Sequence, residues 1–160
     1  MAGERTPAAA IMDGIHVGRF PWWFPLEARQ LAFDYFAYGT DFVPLGASAT
    51  ATQSINILSD SAFFITSAVL VETDVTGLIF LAQAPLLAQL NDTGSGRSFS
   101  NTPIHVSNWF GTAEEPKLWD VPKLLSPGAT FQVTLQNLEA VARHVRIAFH
   151  GFKIFGWRPR

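Results

Sequence analysis

Apolar and polar residues alternate most plainly near the C-terminus. Phe131, Val133 and Leu135 fall on one side of an extended chain, with Thr130, Gln132, Thr134 and Gln136 on the other. That period of two is the mark of a strand with one buried face. Val145, Ile147 and Phe149 repeat the pattern against His144, Arg146 and His150. The link from Asn137 to Ala142 is long enough to turn the chain back and too short for a parallel crossover, so the spacing predicts a C-terminal hairpin. The six apolar residues are its candidate core, and Gly151 marks a bend after which Phe152 and Phe155 change sides.

Upstream, shorter runs carry the same signature. A strand is expected over 30–37, although 26–36 also suits a helical turn, and Tyr38–Phe42 reads as the turn that follows. Residues 47–58 alternate small or apolar side chains with Ser, Thr and Asn, and 62–72 form a longer run rich in β-branched and aromatic residues. The stretch 78–90 suggests another strand around Pro85, with helix open for 82–90. Residues 91–98 read as a connecting loop. From 99 to 125 the sequence is irregular, with Pro103, Pro116 and Pro122 and one strand-like run at 104–110.

These runs amount to about eight strands with no alternation of strand and helix, the pattern of an all-β fold. The expected architecture is an antiparallel β-sandwich, jelly-roll-like, in one domain over 20–160. An extended N-terminal arm is expected over 1–19, where the residues are small, polar and Pro/Ala-containing.

Composition narrows the function classes. Charged residues make up 15% and hydrophobic residues 48%, so the surface is sparing with charge and suited to burial against other subunits. A net charge of −2 leaves no basic footprint for the nucleic-acid backbone. With no cysteine, disulfide scaffolds, thiolate zinc sites and cysteine nucleophiles are excluded. The apolar stretch 78–90 is shorter than the roughly 20 residues of a membrane helix, and no membrane span or secretory signal is expected.

The candidate chemistry is thin. His144 and His150 lie six residues apart on one strand, about 20 Å, which is too far for one metal. His105 with Asp92 or Asp120 is the remaining metal candidate. The pairs Glu72/Asp74 and Glu114/Glu115 sit at apparent turns, where solvated charge explains them. No serine occupies a Gly-x-Ser-x-Gly elbow, and 91–98 lacks the spacing of a phosphate loop. No catalytic residue, metal or cofactor is predicted.

Aromatic residues are the stronger signal. Phe20–Pro25 sets Trp22, Trp23 and Phe24 among prolines that hold the segment extended. It fits a lid over the subunit's own core or an anchor on a neighbouring subunit, with sugar stacking as a third use. Trp109, Phe110, Leu118 and Trp119 are too apolar to be freely exposed.

Several stretches together carry a resemblance: Thr50–Ile57, Asp60–Ile65, Asn91–Arg97, Phe110–Thr112, Leu125–Asn137 and Phe149–Lys153. The chain resembles small structural proteins of tailed-bacteriophage virions, of the β-sandwich kind that cement or decorate capsids, over about 37–155. The resemblance implies a non-enzymatic homo-oligomer, often a trimer, assembled in the host cytoplasm. Its partner on the virion surface would be the major capsid protein, and neither nucleic acid nor membrane is a partner. Contacts are implied for the loop from Asp92 to Arg97 and for the aromatic anchors Trp22, Trp23, Phe24, Trp109, Phe110 and Trp119. A head–tail connector or tail component and a carbohydrate-binding module are the alternatives.

Overall fold

A computed structural model describes residues 32–76 and 85–157. The expected arm over 1–19, the aromatic segment Phe20–Pro25 and the start of the run at 78–90 lie outside these residues. The described strands are β1 (Phe33–Gly39), β2 (Val43–Leu45), β3 (Thr50–Asn56), β4 (Ser61–Thr73), β5 (Leu86–Asp92), β6 (Arg97–Ser98), β7 (Ile104–His105), β8 (Lys117–Leu125), β9 (Thr130–Asn137) and β10 (Arg143–Phe155). A single 3-10 turn, Val106–Asn108, is the one helical piece among them.

Two antiparallel sheets face each other. The first has the order β1-β10-β4-β8, with β2 also on β10, and the second has the order β3-β9-β5-β6, with β7 also on β5. Strands β1 and β2 are two parts of one line along β10, pairing with 148–154 and 143–145 in turn. Thr40 bridges the gap: its N–H donates to the Ile147 carbonyl at 2.9 Å, and its hydroxyl accepts from the Ile147 N–H at 3.1 Å. Likewise β6 and β7 share the edge of β5. With these merged, successive strands alternate between the sheets except for β5 and the β6/β7 strand, which are neighbours in one sheet, and the last two strands lie beside the first two, which is the strand order of a jelly roll. The expected all-β sandwich is present.

The predicted hairpin is not. β9 lies between β3 and β5 in one sheet, and β10 lies between β1 and β4 in the other. Both strands are central, so each uses its two edges on other partners, and their apolar faces cover one another across the interior. The link between them is fastened to the turn that joins β2 and β3. Asn137, 1% exposed, donates through Nδ2 to the Gly46 and Val141 carbonyls and accepts the Glu139 N–H at Oδ1, while the Ser48 N–H donates to the Glu139 carbonyl at 2.7 Å. Arg143, the first residue of β10, is then held by Glu139 and by Glu72 of β4. Glu72 is therefore a buried ion-pair partner, correcting its placement at a solvated turn.

Two further expectations change. The run at 104–110 is a strand for only two residues before the 3-10 turn, and Phe110 then enters the core. Lys117–Leu125, expected to be irregular, is the edge strand β8; an edge accepts Pro122 because no partner needs its missing N–H. The turn expected at Tyr38 begins after Gly39.

The core packs β4, β10 and β8 against β9 and β5, centred on Phe63, Ile65, Leu70, Leu90, Phe131, Val133, Ile147 and Phe149. β4 is buried continuously from Ser61 to Leu70. At Thr66 the register slips against both neighbours, between His150 and Gly151 on one side and across 119–122 on the other. Gly151 is obligatory at that bulge: a Cβ there would lie 1.9 Å from the Phe64 carbonyl oxygen. The bend expected at Gly151 thus coincides with this break in register.

Candidate functional site: an aromatic cleft at the β8 edge

The bulge opposite Thr66 lifts 119–122 away from β4, because Ile65 pairs with Lys123 while Ser67 pairs with Leu118. Trp119 is thereby turned into the open side of the sandwich. Its ring meets Phe149 of the first sheet at 6.0 Å, Phe99 beside the second sheet at 6.2 Å and Trp109 at 5.9 Å, all edge-on. The indole N–H donates to the Trp109 carbonyl at 2.9 Å, which fixes the ring. Trp109 follows the 3-10 turn capped by His105, whose Nδ1 accepts from the Ser107 N–H.

Around these rings lies an open cleft of about 390 Å³. Phe99, Trp109 and Trp119 form its apolar floor, and Asn108, Lys117, Asp120 and Lys123 bring polar groups to its rim. The Lys123 ammonium stands 5.5 Å from the Phe99 ring centre. Leu118, expected to be covered, is instead 42% exposed, and Val121 on the same strand is 63% exposed. A half-buried aromatic cluster beside exposed aliphatic side chains is suited to binding.

Of the residues singled out in the sequence, the structure brings Trp109 and Trp119 together in this cleft. Phe110 is 2% exposed and packs on Phe149 at 5.7 Å, so it serves this chain's core. Asp92 is 6% exposed and shapes the β5–β6 turn: one carboxylate oxygen accepts the Gly94 N–H at 3.0 Å, and the other accepts the Ser95 hydroxyl at 2.6 Å. Gly96 completes that turn at φ 66°. Arg97 is exposed on β6 and does not line the cleft. Trp22, Trp23 and Phe24 lie outside the described residues. Phe99 and Lys117 were not singled out in the sequence, and Asp120 was named there only as a metal candidate with His105, because Pro122 masked the alternation of β8.

Elsewhere, Tyr35 and His150 form a smaller polar pair on the outer face of the first sheet, with the Tyr35 oxygen 2.6 Å from Nδ1. Burial lowers the His150 pKa below its ordinary value and raises that of Tyr35. Which of the two groups donates is set by the imidazole tautomer. Among the described residues, no group of three His, Asp or Glu side chains could hold a metal ion. No helix among them is long and apolar enough to cross a membrane.

No protein-family model matches the chain, and no curated protein sequence matches it.

Proposed function

We propose that the chain is a non-enzymatic virion structural subunit, of the cement or decoration kind, that docks onto a major capsid protein and onto copies of itself. The observation that supports this best is the β8 edge. No strand among the described residues pairs with its outer side, and Leu118 and Val121 stand exposed beside the Trp109–Trp119 cleft. A sheet edge with apolar side chains and a ready aromatic anchor is an aggregation hazard in isolation and an interface when covered. The sparing use of charge suits a contact that becomes dehydrated.

Particles assembled with and without the protein test the proposal. Omission lowers the temperature at which particles release their contents, and the copy number per particle is in the hundreds. Equal heat stability, or a handful of copies at one vertex, would replace this reading with the head–tail or tail alternative.

A second reading, glycan binding, is favoured by one feature: indole rings flanked by Asn108, Asp120 and Lys117. Sugar stacking needs an open ring face. Tryptophan fluorescence that shifts on titration with oligosaccharides would select it.

A further inference from the structure

Among the described residues the two sheets have four outer edges, and these are not protected alike. On the first sheet, the β1/β2 line carries Asp34 and is broken between Gly39 and Val43, while β8 carries Lys117, Asp120, Lys123 and Pro122 and bulges at its middle. On the second sheet, β6 and β7 are only two residues each. Charges, prolines, bulges and short edge strands are the devices that stop a sheet from taking up a further strand. β3 has none of them. Its seven residues, Thr50–Asn56, include neither charge nor proline and pair with β9 at every position without a shift in register.

The ladder fixes which backbone groups of β3 are free. Just beyond its ends, the Asn137 N–H donates to the Ala49 carbonyl and the Ile57 N–H donates to the Ala129 carbonyl, both at 2.9 Å. Hydrogen-bonded pairs alternate with non-bonded pairs along an antiparallel ladder. Ala51, Gln53 and Ile55 therefore bond to β9, and the N–H and C=O groups of Thr50, Thr52, Ser54 and Asn56 point the other way. Among the described residues no backbone group bonds to these, and all four residues are exposed.

We propose that β3 pairs antiparallel with β3 of a second copy across a two-fold axis, joining the second sheets of the two copies into one. The register that uses the whole strand places the axis at Gln53. Thr50 then lies opposite Asn56 of the second copy and Thr52 opposite its Ser54, so every outward N–H meets an outward C=O. On the exposed face hydroxyl meets hydroxyl or amide, and on the inner face Ala51 meets Ile55, small against large. With no charge on the strand, no like charges are set opposite each other. Such self-complementarity is what a two-fold contact demands, and it makes a second copy the strand that this edge fits. The contact uses neither β8 nor the Trp109–Trp119 cleft, so it stands whether or not the chain attaches to a particle.

The full chain in solution tests it. Sedimentation is expected to give the mass of two chains for the wild type and of one for Ser54→Pro, whose lost N–H faces away from β9. Thr52→Lys combined with Ser54→Lys, at exposed positions, should also give one chain, and mixing it with the Thr52→Glu, Ser54→Glu protein should restore two. A wild type of one or three chains, or two chains retained in both variants, would overturn the proposal. The register has its own test, because the chain has no cysteine. Gln53→Cys meets its own copy at the axis, in a non-hydrogen-bonded pair with Cα atoms about 4.5 Å apart, and mild oxidation should link the two chains through a disulfide. Thr50→Cys is the control: its two thiols lie about 20 Å apart and should stay unlinked. Equal linking of the two variants, or of neither, would also overturn the proposal.

Discussion

Phe131 and Phe149 meet edge-to-face in the middle of the molecule, ring centres 5.0 Å apart and planes at 78°, although the strands that carry them belong to opposite sheets. This contact ties β9 to β10 more directly than any backbone hydrogen bond. Truncating either ring, as in Phe149→Ala, is expected to cost about 3–5 kcal/mol. A double-mutant cycle with Phe131→Ala should return a coupling of about 0.5–1.5 kcal/mol. Urea unfolding of the four proteins measures it, and strict additivity would mean that the rings do not interact.

Gly151→Ala places a methyl group against the Phe64 carbonyl, so the bulge at Thr66 must open. The expected loss is about 1–3 kcal/mol. Gly39→Ala is the contrast, because a Cβ there sits 3.6 Å from the Ile147 oxygen, an ordinary contact. It should be neutral or stabilise by about 0.5 kcal/mol. Equal melting temperatures for the two variants would show that the bulge is not tight.

Asn137→Ala removes the side chain that fastens the β9–β10 link to the β2–β3 turn. Two carbonyls and one N–H lose their partner, and a cost of about 2–4 kcal/mol follows. Hydrogen exchange should quicken first at Ser48 and Glu139. Loss spread evenly over the whole chain would refute this local role.

For Trp119 and its neighbours on β8 the effects should separate. Trp119→Ala opens the interior beside Phe149 and should cost about 3 kcal/mol of folding stability. Leu118→Ala and Val121→Ala, both exposed, should change stability by less than about 0.5 kcal/mol. Under the proposed function those two variants nevertheless weaken attachment to particles, measured by cosedimentation. Full attachment of both would remove β8 from the interface.

Because burial lowers the His150 pKa, the folded chain binds fewer protons than the unfolded chain just below pH 6.5. The stability held by the neutral ring is complete above about pH 6.5 and declines as the pH falls below it. His150→Gln should flatten that part of the profile. Melting temperatures of both proteins between about pH 7.5 and 5 test this, and parallel curves would contradict it.

The alternation of Phe131, Val133 and Leu135, and of Val145, Ile147 and Phe149, already determined that these residues are core and that the fold is a sandwich. Period-two patterning is a local property, and it survives whichever strand lies alongside. Partnership is not local. Two strands with one apolar face each can lie side by side and wait for a cover, or lie in separate sheets and cover one another, and the linking sequence 137–142 permits both. The tertiary structure decided for the second because β3 and β5 occupy the edges of β9, β1 and β4 occupy those of β10, and Asn137 holds the crossing. The cleft was hidden for a related reason. Trp109 and Trp119 were visible as anchors, but what brings Phe99, Lys117 and Asp120 to them is the bulge opposite Thr66, a mismatch in register between two strands that neither strand's sequence records alone.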